Sequence, residues 1–137
     1  MPEITAGFCE RAHTADWGLE VWAPDMPALL EQAARGMYAL SGTRLQDAPR
    51  LNRLVEINAR DAENLLVRFL AELLYMNEQE NLAFDEFDLG VDGYKLRASL
   101  SGAPVADKQR DIKAVTYHQL TIRQTSRGLE VTLTFDV

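Results

Sequence analysis

The chain has 137 residues, 47% of them hydrophobic and 26% charged, a size and balance that suit one soluble domain, residues 1–137, with a real core. Its formal charge of −7, with no run of Lys or Arg, argues against tight direct contact with a phosphate backbone and suits a basic protein partner or a metal cation. The single Cys9 excludes an internal disulfide, the start MPEITAGF lacks the pattern of a secretory leader, and no apolar run approaches a membrane span, so the cytoplasm is the expected compartment.

From the N-terminus, GFCERA and GLEVWA flank the segment His13-Thr14-Ala15-Asp16. Leu19, Val21 and Ala23 alternate with polar or aromatic neighbours, which is the period of a strand, so the segment is expected at a strand–strand junction. APDMPALLEQAARGMYALSG reads as a helix with both ends marked. Asp25 can cap its free N–H groups, Pro27 is tolerated in the first turn, and Ser41-Gly42 can end it. Leu29, Leu30, Ala33, Ala34, Met37 and Leu40 form its apolar stripe.

TRLQDAPR is expected as polar loop and LNRLVEINA as a strand with Val55, Ile57 and Ala59 on one side. A second helix starts after Asp61 and buries Leu65, Leu66, Phe69, Leu70, Leu73 and Leu74. Its acidic end NEQEN opposes the helix dipole, which predicts fraying or a break before Asn81. LAFDEFDLGV and YKLRASLSG flank Asp92-Gly93, the signature of a type I′ hairpin. APVADKQRD is expected as loop, and IKAVTYHQLTIRQ with LEVTLTFDV as a closing hairpin around TSRG. In the last strand Val131, Leu133 and Phe135 should face one way, and Thr132, Thr134 and Asp136 the other. The order β-β-α-β-α-β-β-β-β predicts an α+β fold: a two-layer arrangement of largely antiparallel or mixed β-sheet with two helices packed on one face.

Few residues suggest covalent chemistry. There is no nucleophile elbow, phosphate-binding glycine loop or dinucleotide fingerprint. Cys9 and His13 stand four apart, about 13 Å along a strand, and Cys9 reads as a small core residue. His13 and His118 are the only histidines. They could join Asp16 and Asp136 in a metal-dependent hydrolase, but without the spacing of a zinc motif; as structural groups they would each fix a turn. Asp136 stands beside the carboxylate of Val137. Two adjacent anions need a lysine, an arginine or a hard cation nearby. With Asp16 added the donors would be all oxygen, suiting Ca²⁺ or Mg²⁺ rather than zinc. Spacing leaves open whether Asp16 reaches the end of the last strand.

HTADWGLEVWA followed by AARGMY resembles the opening of the archease family. LLVRFLAELLYMNEQENLAFDEF, KAVTYHQLTI and the terminal FDV resemble later segments of that family, in the same order and over essentially the whole chain. The resemblance implies an accessory protein rather than an enzyme: an activator of an RtcB-type RNA ligase, which joins a 3′-phosphate or 2′,3′-cyclic phosphate RNA end to a 5′-hydroxyl in tRNA splicing and RNA repair. It implies promotion of ligase guanylylation and of multiple turnover, with nucleic acid reached only through the ligase. It also implies a divalent-metal site on Asp16, Asp136 and Val137, with Ca²⁺ as the expected ion and Mg²⁺ or Mn²⁺ as alternatives. A monomer is expected. Trp17 stands where many relatives have a smaller aliphatic residue, and WAPD where a glycine often follows the aromatic. A metal-free interaction module is the remaining alternative.

Overall fold

A computed structural model of the chain describes residues 5–12 and 17–137; the His13–Asp16 segment lies outside the described residues. In chain order the elements are β1 Gly7–Ala12, β2 Trp17–Ala23, α1 Met26–Ser41, β3 Arg44–Leu45, β4 Leu51–Asn58 and α2 Ala62–Glu80. There follow β5 Leu82–Asp92, β6 Lys95–Asp107, β7 Ala114–Thr116, β8 Arg123–Thr125 and β9 Gly128–Asp136. Every strand pairing among the described residues is antiparallel, and the expected α+β class holds. The sheet layer is divided in two. One sheet runs β1-β2-β9-β7, with β8 also on β9; in the other, β6 is central, with β5 along one edge and β4 and β3 along the other.

Local signals place both helices. Asp25 accepts from the Ala28 N–H at 2.9 Å, Pro27 lies in the first turn, and Gly42 ends α1 in the left-handed region at φ +66°. The Asp61 carboxylate accepts from the Asn64 N–H at 2.7 Å. The apolar stripes of α1 and α2 meet in one core with Leu19, Val21, Val131, Leu133 and Phe135 of the first sheet and Val55, Ile57, Leu96, Ala98 and Leu100 of the second. Leu74 is only partly buried at its margin.

Several expectations are corrected. Helix α2 does not fray before Asn81: it runs to Glu80 and closes on Asn81, which sits at φ +53° with its N–H on Met76 O. Glu80 is neutralised by Arg53 at 2.7 Å, and the Asn81 side chain donates to Val105 O at 3.1 Å, so tertiary partners outweigh the unfavourable dipole. APVAD is strand rather than loop. Val105 N–H reaches Asn81 O on one side and Gln46 N–H reaches Pro104 O on the other, which extends β6 and makes Arg44–Leu45 a short strand. The hairpin closes at Asp92↔Lys95, so its loop is Gly93-Tyr94. Only Gly93 takes positive φ, at +62°, which fits a type II′ turn and not type I′. The expected single strand IKAVTYHQLTIRQ is two short strands, β7 and β8, laid end to end along β9 and interrupted by a turn in which Leu120 N–H bonds to Tyr117 O at 3.1 Å.

Candidate functional site

The alternation of β9 sorts its side chains as expected. Val131, Leu133 and Phe135 are at most 1% exposed, while Thr132 and Asp136 are exposed. The register then assembles a corner. Trp17 pairs with Phe135 on one side of β9, and Val115 pairs with Phe135 on the other. Ala114 stands opposite Asp136, and Lys113 N–H donates to Asp136 O at 2.7 Å. Asp136 is thus fixed at the exposed end of a central strand, flanked by the start of β2 and the start of β7. Val137 is partly buried beside it. Among the described residues no cation pairs with the Asp136 carboxylate, and no three His, Cys, Asp or Glu side chains gather as metal ligands.

The segment between β6 and β7 borders this corner. Gln109 and Arg110 donate their N–H groups to Ser41 O at 2.8 and 3.0 Å, and an Arg110 guanidinium N–H reaches Leu40 O at 3.0 Å. These carbonyls end α1, where helical partners run out and the dipole is negative, so the arginine suits the place electrostatically. The same guanidinium lies 3.8 Å above the Trp17 ring. Lys108 bonds to Asn77 at 2.9 Å and pairs with Asp111 at 2.8 Å. The Lys108 ammonium, aided by Lys113, holds the Asp111 carboxyl below the usual range. Between this segment and the helix ends opens a cleft of about 270 Å³ lined by Met37, Tyr38, Leu74, Asn77, Lys108 and Ile112, among others.

Of the residues expected to carry function, His13 and Asp16 lie outside the described residues, and Asp136 and Val137 form the corner. His118 is not brought to it. Strand β7 leads away from Asp136, and His118 is exposed in the turn beyond its far end. Cys9 is exposed rather than a core residue, because Phe8 takes the inward position on β1. Arg110 and Lys113 were not legible as neighbours of the corner. Their partners Leu40, Ser41, Trp17 and Asp136 lie far off in sequence, and a polar loop gives no local sign of where it docks.

The Archease protein family is matched by residues 8–137. The chain belongs to the archease family. It is 32% identical over 131 residues to the protein archease of Saccharolobus solfataricus, covering 91% of this chain and 94% of the relative. With the protein archease of Thermococcus kodakarensis it shares 30% over 124 residues, 85% of this chain and 87% of the relative. The solution structure of Methanobacterium thermoautotrophicum protein 1598 superposes with a TM-score of 0.76 at 25% identity, covering 96% and 99% of the two chains. The crystal structure of a Thermotoga maritima archease, described as a possible chaperone, gives 0.70 at 21% identity, covering 91% and 93%, and shares the fold. The archease fold therefore accounts for both sheets and both helices, and among the described residues no helix is long and apolar enough to cross a membrane.

Proposed function

We propose that this protein is an accessory activator of an RtcB-type RNA ligase, promoting ligase guanylylation and repeated turnover in the joining of 3′-phosphate or 2′,3′-cyclic phosphate ends to 5′-hydroxyl ends. The family membership supports this reading. The site we assign to it is the corner at the end of β9, with a divalent cation, Ca²⁺ before Mg²⁺ or Mn²⁺, held by Asp16, Asp136 and Val137.

The observation that carries the site is the pairing of Trp17 with Phe135. Asp16 precedes Trp17 and Asp136 follows Phe135, and consecutive Cα atoms are about 3.8 Å apart. Asp16 is therefore next in sequence to one member of a fixed cross-strand pair, and Asp136 next to the other. The donor chemistry fits a hard cation, since every proposed ligand atom is oxygen. Asp136 is exposed and has no cationic side chain paired with it among the described residues, so its carboxylate is available. A bound cation would offset the repulsion between the two aspartates. This chain's part is to present a rigid acidic corner to the ligase. An activator of this kind shifts the ligase toward a guanylylation-competent state only by binding that state more tightly.

The test is covalent labelling of a cognate RtcB-type ligase with guanylate, with and without this protein. Faster and fuller labelling is expected with the wild type, and Asp136→Ala should lose most of the effect. Equal labelling with and without the wild-type protein would overturn the proposal.

A further inference from the structure

Strand β5 forms an edge of the second sheet. It pairs with β6 from Leu82 to Asp92 and with no other strand among the described residues. The register breaks once, between Phe84 and Glu86, and is regular from Glu86 to Asp92. Before the break the edge is already covered, because the Tyr38 hydroxyl accepts from the Phe84 N–H at 3.4 Å. After the break, alternate residues turn their N–H and C=O groups away from β6, as an antiparallel ladder requires. Among the described residues these groups meet no backbone partner.

The two faces of this stretch differ. Phe87, Leu89 and Val91 stand opposite Leu100, Ala98 and Leu96 and lie on the core side, each only partly buried where the sheet ends. Glu86 and Asp88 turn outward and are exposed, and their neighbours across the ladder are Ser101 and Ser99. Arg50 reaches this face, but it is bonded to Asp85 and stays 3.8 Å from Glu86. Asp88 has no ion-pair partner among the described residues. Strand edges are normally blunted by charge, by a bulge or by cover. Here the bulge and Tyr38 protect one end, and the charges on the free stretch are all negative.

We propose that the Glu86–Asp92 edge is a docking site for an extended segment of a partner protein in which apolar residues alternate with lysine or arginine. Such a segment adds to the sheet as one more strand, its backbone bonding the free N–H and C=O groups of β5. Its apolar residues lie beside Phe87, Leu89 and Val91 and complete their burial. Its cations lie beside Glu86, Asp88 and Asp92. A slip by one residue would turn every cation to the core side, so the alternation fixes the register. The same charges select against a second copy of this chain, since antiparallel pairing of two β5 edges sets carboxylates against carboxylates. The docking edge shares no residue with the Asp136 corner and does not depend on a cation there.

The test uses the full chain and a capped peptide of alternating lysine and valine, matched in length to Glu86–Asp92. Fluorescence anisotropy of the labelled peptide reads binding, and amide hydrogen exchange reads where it binds. Saturable binding is expected, weakening as salt rises, with protection gained by amides within Glu86–Asp92. The same peptide N-methylated at alternate residues cannot complete the ladder and should bind much more weakly, as should a peptide of alternating glutamate and valine. Glu86→Gln combined with Asp88→Asn should weaken binding about fivefold, because each cross-strand ion pair contributes modestly. Asp47→Asn combined with Glu78→Gln removes the same charge from exposed positions outside β5 and should change binding little. No saturable binding at millimolar peptide, equal binding by the N-methylated peptide, or protection confined to other elements would overturn the proposal. Sedimentation showing a dimer that protects β5 without peptide would overturn the choice of occupant.

Discussion

Glu20 sits between two guanidinium groups on the outer face of the first sheet. Arg11 donates to it at 2.6 and 3.1 Å, and Arg127 bonds to it from the other side. Hydrogen bonds from Arg11 and then Arg127 bring its carboxyl down to about 2. The side chain is only 17% exposed, so solvent screens these pairs less than it screens most ion pairs among the described residues. A carboxyl lowered in the folded state stabilises the fold at all pH values above the ordinary carboxylate range, and that contribution disappears as pH falls through about 2. Glu20→Gln is therefore expected to melt a few degrees below the wild type at pH 7. The gap should close as pH falls from about 4.5 toward 2, read by thermal melts across a pH series. A gap that is constant with pH would contradict this account. At the same scale the sequence showed Asp25, Asp61 and Gly42 in their capping roles, because a cap answers to its own helix. It did not show Asn81 as a cap, because the Arg53–Glu80 pair and the Val105 carbonyl that support it come from other elements. Asp136 was legible as the outward residue of the last strand, whereas Arg110 and Lys113 beside it were not.

The elements follow the same division. Both helices were readable from stripe and caps, and β2, β4 and β9 from alternation, since those signals lie within the element. The sequence suggests one continuous edge strand, because Tyr117–Ile122 keep an apolar rhythm while the chain turns away from β9. Strand β6 looks shorter in the sequence than it is, because Pro104 and the polar residues after it have the composition of a loop. Its true length depends on partners from β3 and Asn81. Gly102 marks the tightest point of that strand. It pairs with Phe84 just before the irregular step to Glu86, and a Cβ there would run into the Ala83 carbonyl oxygen on β5. Backbone cannot yield as a flexible side chain can, so Gly102→Ala is expected to destabilise by about 2 kcal/mol. Gly90→Ala, on the same sheet with its nearest neighbour at 3.9 Å, should cost much less. Chemical denaturation separates the two, and equal losses would contradict the tight β5–β6 approach.

At the scale of the whole molecule, one core joins both sheets and both helices, and its outcome at the surface is an acidic protein whose last strand ends in an exposed carboxylate. The charge of −7 suits docking on a basic, RNA-binding partner. The proposed role is to shift that partner between states, so the protein should act at less than one molecule per joined RNA. The most direct measurement is multiple-turnover joining of an RNA with 2′,3′-cyclic phosphate and 5′-hydroxyl ends by a cognate RtcB-type ligase, with substrate in excess. With this protein present, product should continue to accumulate beyond one equivalent of ligase, and with Asp136→Ala in its place product should stall near the first turnover. Product accumulation that is the same with and without the wild-type protein would contradict the account.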